Sequence, residues 1–153
     1  VPLHIGLFIE PSLRQWTQEE RQTSMIAGIH HYVFSLGAPL SKNIEEMTRK
    51  VFSKVTILNE LPGREKVETD AYDAVLTAQL LESKLELIVE DSVWRAIGKH
   101  HLSIRATFSD KYFNTIFDEN LTVEGKHLDV IDFEVVFNLA QKLLASVKQR
   151  ENR

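Results

Sequence analysis

The sequence predicts an α/β (α+β) two-layer sandwich, in which one mixed, partly antiparallel sheet of about five or six strands is covered by two main helices. Three observations predict it. Residues 32–58, YVFSLGAPLSKNIEEMTRKVFSKVTIL, read as one strand, helix, strand unit; residues 100–108, HHLSIRATF, alternate with the period of a half-buried strand; residues 132–149 carry apolar side chains at helical spacing. Strands interleaved with amphipathic helices bury their apolar faces against one another as two layers.

Composition bounds the reading. The 153 residues suit a single domain, 1–153, long enough to bury a core without staples. Hydrophobic residues make up 43% and charged residues 26%, ordinary globular usage that argues against a disordered chain. A net charge of −4 lacks the basic footprint of a nucleic-acid binder. With no cysteine there is no disulfide framework, thiolate metal site or cysteine nucleophile. No apolar run approaches the roughly 20 residues that span a bilayer. The chain opens on Val1 without a methionine, the start expected if an upstream signal peptide or lipid-attachment cysteine has been removed.

Leu3 to Ile9 is a short apolar run ended by Glu10 and Pro11, hence a buried strand. Residues 14–30 are polar with little periodicity apart from Trp16, and are expected to form a long surface loop or a marginal short helix. Residues 31–36 are extended, and Gly37, Ala38 and Pro39 mark a helix start near residue 38, since a first-turn proline lacks only an N–H that would go unpaired. Leu40, Ile44, Met47 and Val51 then form one stripe. Val55–Leu58 is the next strand, and residues 59–69 are expected to be an exposed connection around a Pro-Gly turn. Residues 72–89 read as a long strand, interrupted by Glu90, Asp91 and Ser92. Leu102, Ile104, Ala106 and Phe108 share one face of the next strand, Asp110 and Lys111 make a turn, and residues 114–123 form a hairpin partner ending at Gly125. Phe133, Val136, Phe137, Ala140, Leu143, Leu144 and Val147 are expected on the core face of the last helix, capped by Asp129 or Asp132, with 150–153 a frayed tail.

No catalytic, cofactor-binding or metal-binding set is expected. The histidine pairs His30-His31 and His100-His101, with His4 and His127, lack the spacing that puts two rings on one side, so solvated or half-buried histidines are the better reading. Adjacent carboxylates such as Glu45 with Glu46 and Asp118 with Glu119 read as surface charge. The serines sit in no nucleophile elbow and the glycines in no phosphate loop. An exposed aromatic beside an arginine is a common interface anchor. The candidate interaction surface is therefore Arg14 with Trp16, Trp94 with Arg95, and Tyr112, with Trp16 expected outside the core.

Ile9-Glu10-Pro11, then Phe34, Leu36, Gly37 and Leu40, then residues 51–58 (VFSKVTIL) and 72–80 (YDAVLTAQL) resemble small bacterial outer-membrane and periplasmic lipoproteins. Those share the fold of the periplasmic part of the curli secretion protein CsgG, the exopolysaccharide accessory lipoprotein PelC and the TolB N-terminal domain. The resemblance covers most of the chain and rests on fold motifs. It implies a non-enzymatic envelope lipoprotein that assists assembly or export of a surface polymer or protein complex through protein contacts. It further implies a periplasmic, outer-membrane-anchored location, with the membrane reached only through an N-terminal lipid, and self-association into a ring or other homo-oligomer. The alternative is a small-ligand-binding domain of periplasm or cytoplasm with a pocket near Trp94, His101 and Tyr112; an enzyme whose site goes unrecognised comes third.

Overall fold

The computed structural model describes the backbone of residues 1–24, 28–90 and 95–151, and the side chains of these except 20–24, 28–32, 34, 85–90, 95–98, 128, 150 and 151. In chain order the elements are β1 (His4–Ile9), α1 (Pro11–Arg14), β2 (Thr17–Ser24), β3 (Gly28–Ser35), α2 (Gly37–Val51), β4 (Lys54–Leu58), α3 (Arg64–Thr69), β5 (Ala74–Glu90), β6 (Arg95–Asp110), β7 (Thr115–Gly125) and α4 (Leu128–Glu151). Five strands form one mixed sheet in the order β4-β1-β5-β6-β7, while β2 pairs with β3 in a separate ribbon. Among the described residues two of four helices, α2 and α4, are long, so the expected α+β class is the one observed.

Strand β1 lies between two parallel partners, with register His4↔Lys54 to Phe8↔Leu58 on one side and Ile5↔Ala74 to Ile9↔Ala78 on the other. Its alternate residues serve two different cores. Ile5, Leu7 and Ile9 are at most 2% exposed and join Leu40, Ile44, Leu139 and Leu143 of the helical layer. Phe8 turns the other way and packs with Leu58, Val67, Tyr72 and Val75. A strand buried on both faces reads as a continuous apolar run instead of an alternating one, as LHIGLFI does.

The far half of the sheet is antiparallel and one-sided. Leu102, Ile104, Ala106 and Phe108 of β6 are at most 2% exposed under the helices. On the other face, Arg105 Nε donates to Asp118 Oδ1 at 2.7 Å across the β6–β7 ladder, and Ser103 and Thr122 share a hydroxyl hydrogen bond of 3.0 Å. The Arg105 guanidinium holds the Asp118 carboxyl below the usual carboxylate range. Strand β5 pairs with β1 only over Ala74–Ala78 but with β6 as far as Glu90, and β7 reaches only His100 of β6. The outer parts of β5 and β6 therefore extend past the body of the sheet as a two-stranded ribbon.

Four sequence expectations need correction. Residues 14–24 and 28–30 are neither a loop nor a marginal helix: they hold the end of α1, all of β2 and the start of β3, paired antiparallel from Thr17↔Ser35 to Ser24↔Gly28. A ribbon pairing only with itself needs no apolar face, which is why no period was visible. Residues 59–69 contain α3, which buries Val67 to 1% exposure beneath Phe8 and Leu58. Helix α4 starts at Leu128 and runs to Glu151, so Asp132 lies one turn inside it and residues 150 and 151 belong to it. Its core stripe is Ile131, Val135, Leu139, Leu143 and Val147, each at most 7% exposed, whereas Phe133, Phe137 and Leu144, expected inside, are 67%, 49% and 41% exposed.

Gly37 is placed by a close approach of backbones. A Cβ at this position would lie 1.9 Å from the Leu13 carbonyl oxygen and 2.9 Å from that of Arg14. The Trp16 carbonyl accepts from the Leu36 and Gly37 N–H groups at 3.0 and 2.9 Å, so the chain leaving α1 satisfies the first donors of α2. Gly37→Ala is expected to destabilise the fold by about 3 kcal/mol or more, because the obstructing atoms are main chain and have nowhere to move. Gly63→Ala, with nothing within 4 Å of its would-be Cβ, is expected to stay within about 0.5 kcal/mol of wild type or gain slightly from reduced unfolded-state entropy. Urea unfolding of both variants measures the contrast.

Candidate interaction surface

The residues picked out as a contact surface do not gather in one place. Trp16 is only 9% exposed and belongs to the main core with Leu13 and Leu40, which corrects its placement outside the core. Arg14 is half-buried, its Nε donating to the Ile9 carbonyl at 3.1 Å. Both lie where β1 ends. Tyr112 is 67% exposed in the β6–β7 turn, at the opposite end of β1, where the Lys111 N–H donates to the Asp73 carbonyl. The Lys111 ammonium lies 5.1 Å from the Tyr112 ring centroid. Arg95 is placed by its backbone alone, opposite Glu90 at the outer end of the β5–β6 ribbon, and Trp94 lies outside the described residues.

The small-ligand pocket drawn from Trp94, His101 and Tyr112 is not assembled either. His101 and the turn holding Tyr112 are separated by most of β6, about 30 Å at about 3.3 Å per residue. A cavity of about 370 Å³ does lie beside Tyr112, walled by Leu3, Ala74, Phe108, Ile116 and Val147. The carboxylates at its edge are engaged in holding the chain: Asp73 accepts the His4 N–H at 2.7 Å, and Asp110 accepts the Tyr112 and Asn114 N–H groups at 2.9 Å each.

The histidines divide by environment. His4 Nε2 meets the Thr56 hydroxyl at 2.9 Å, Nδ1 meets the Ala71 carbonyl at 3.2 Å, and the ring stands edge-on to Tyr72 at 4.8 Å, so its polar atoms are used in packing. His101 Nδ1 lies 2.9 Å from Glu124 Oε1, with Glu82 at 3.6 Å from Nε2 and Lys99 bound to Glu124 at 2.8 Å. This histidine–carboxylate contact has the reach a general base needs, but it forms a cross-strand ion cluster on the open face of the sheet. The nearby Ser103 hydroxyl is bonded to Thr122. Among the described residues no three histidine, aspartate or glutamate side chains gather as metal ligands.

Among the described residues, a further feature is the outer side of α4, which residue pattern alone did not single out. Val130, Phe133, Phe137 and Leu144 are 50%, 67%, 49% and 41% exposed, and the two phenyl rings stack with centroids 6.0 Å apart at 15°. Between this stripe and α2 runs a groove of about 780 Å³ floored by Met47, Val51, Val136 and Ala140. Glu46, Lys50 and Asp129 stand at its lips. The signal for it was the excess of apolar positions on α4, more than one stripe can hold. At the start of the helix Asp132 is half-buried, and desolvation, reinforced by the charge of Asp129, pushes its pKa up from 3.8 to about 6.

No protein-family model matches the chain, and no curated protein matches it in sequence. Solved structures do share its fold. PelC from Paraburkholderia phytofirmans, solved as a dodecamer, is similar at a TM-score of 0.59 and 12% identity over 93% of this chain and 89% of its own. Protein XCC0632 from Xanthomonas campestris, of the DUF330 family, gives 0.55 at 7% identity over 100% and 90%. The hypothetical protein CT253 from Chlamydia trachomatis gives 0.50 at 14% over 96% of each chain. At these identities the likeness is one of fold, and it bears out the PelC part of the expected architecture.

Asp132 yields a pH prediction. A carboxyl whose folded pKa lies above its unfolded value favours the folded state fully below the unfolded value, about pH 3.8, and that contribution is lost as pH rises through about 6. Asp132→Asn is therefore expected to raise stability at pH 7 by on the order of 1 kcal/mol, given water's access to the group, and to leave stability at pH 3.5 unchanged. Urea midpoints of both proteins across pH 3.5–7.5 check the sign.

Proposed function

We propose that this protein is a non-enzymatic accessory protein of the bacterial cell envelope that works through protein–protein contacts, among them contacts between its own copies. The observation that carries the reading is the fold held in common with PelC, a protein solved as a dodecamer. The exposed apolar stripe of α4, with its stacked Phe133 and Phe137 rings, supports it physically, since a contiguous exposed apolar patch marks a surface that meets another molecule. In this reading the partner is a component of an apparatus that assembles or exports a surface polymer or protein, and Tyr112 belongs to a second, smaller contact point. The protein works in the periplasm, held at the outer membrane by a lipid attached upstream of Val1.

Size-exclusion chromatography with light scattering is expected to return a multiple of the 17.6 kDa chain mass that falls on dilution; a strict monomer at high concentration removes the self-association. Cells expressing the natural gene are expected to incorporate labelled palmitate into the protein and to carry it in the outer-membrane fraction. Recovery in the cytosol without label removes the envelope reading.

A further inference from the structure

We infer that two copies of this chain associate through α4, packed antiparallel about a two-fold axis that passes near residues 138 and 139. The inference deepens the self-association proposed above and rests on it. Helix α4 carries two apolar stripes of different period. Ile131, Val135, Leu139, Leu143 and Val147 recur every four residues and are spent on the core. Val130, Phe133, Phe137, Ala140 and Leu144 recur at intervals of three, four, three and four, the spacing a helix presents to a second helix lying along it. Two such heptads are too short to hold a free coiled coil together, but here the helix is already formed and supported by the sheet.

Three features select a second copy as the occupant. The first is side-chain size. In antiparallel packing about this axis, Phe133 comes level with Leu144 of the second copy and Phe137 with its Ala140, so each large ring faces a smaller residue and every exposed member of the central stripe acquires a partner. The second is charge. Asp129, Asp132 and Glu134 occupy the first half of α4, while Lys142, Lys148 and Arg150, with the single acid Glu151, occupy the second; Lys142 is already paired with Glu119 at 2.7 Å. Antiparallel pairing sets the acidic half of one helix beside the basic half of the other and opposes the two helix dipoles; parallel pairing sets like against like. The acidic first half also opposes docking on an anionic lipid surface. The third is extent. The 24-residue α4 is about 36 Å long and the 15-residue α2 beside it about 22 Å; at about 10 Å of width per helix the footprint is roughly 600 Å² against the roughly 800 Å² per partner of a stable complex. A two-fold contact closes on itself at two copies and leaves the strand edges free for any further assembly.

Sedimentation velocity on the wild type should show a dimer or a higher even-numbered species. Phe133→Glu and Phe137→Glu should each raise its dissociation constant at least tenfold, with little change in the urea midpoint measured on dilute, dissociated protein, since the rings are 67% and 49% exposed in the single chain. Because the chain has no cysteine, orientation can be read by oxidising an equimolar mixture of Phe133→Cys and Leu144→Cys proteins: antiparallel pairing gives the mixed disulfide, parallel pairing the two homodisulfides. Homodisulfides alone overturn the antiparallel geometry. An oligomer that survives both glutamate variants overturns the α4 contact while the broader self-association reading stands. A wild type that is monomeric throughout overturns both. A monomer that sediments with phosphatidylethanolamine–phosphatidylglycerol vesicles and loses this in Phe133→Glu reassigns the stripe to a lipid surface.

Discussion

Strand β1 has neither an edge nor a face left for water. Both ladders are filled by parallel partners, one side chain in two points into the helical layer, and Phe8 fills the smaller cluster beneath α3. Each neighbour takes its place from that strand. Parallel pairing to β4 requires a crossover, and α2 lies in it; pairing to β5 requires another, and α3 lies in that one. The chain leaving β1 turns at once through α1, so α1 is held against the top of α2, and the contact at Gly37 follows from how little room this leaves. The β2–β3 ribbon is thereby anchored at its base by the Trp16 carbonyl, which links α1 to the first turn of α2. A central strand that could be slipped by one residue would exchange Ile5, Leu7 and Ile9 for Gly6 and Phe8 on the helical side and lose both cores together.

The helical layer is uneven in a way that bears on function. Helix α2 buries one stripe and exposes charge, including the Arg49–Glu45 pair at 2.8 Å, one turn apart. Helix α4 buries one stripe and exposes another. An exposed phenylalanine pair gives a single chain little of the stability that burial would give and raises the risk of aggregation. The desolvated Asp132 in the same helix is a further departure from the most stable arrangement. By contrast the open face of the sheet is laced with Arg105–Asp118, Ser103–Thr122 and His101–Glu124 contacts that satisfy one another across strands.

Legibility in the sequence followed the strength of the packing constraint at each element. The β6 alternation was plain because one face of that strand is core and the other is not, and α2 was plain because its stripe has a single function. Strand β2 went unrecognised, though the second half of β3 was expected as a strand, because TQEERQTS pairs only with another strand and needs no apolar period to do so. Short α3 was hidden because a single residue, Val67, makes its burial. On α4 one apolar face was expected, and it left out Ile131, Val135 and Leu139 of the buried stripe, since at helical spacing a stripe of period four and a stripe of period three and a half overlap, and which one meets the sheet depends on the angle at which the helix arrives from β7. Trp16 was misplaced for a related reason: its neighbours in sequence are polar, while its neighbours in space, Leu13 and Leu40, come from the helices on either side of the ribbon.

By itself the sequence determined the fold class, a buried strand over residues 3–9, the two long helices and the absence of a cysteine from residues 1–153, because each of these follows from composition or from the pattern that burial imposes on apolar residues. Only the tertiary structure decided that Gly37 is required by an approach of two backbones, that Trp16 is core, and that Phe133, Phe137 and Leu144 are surface. Those are properties of distances between segments remote in sequence, and no local pattern of residues specifies them.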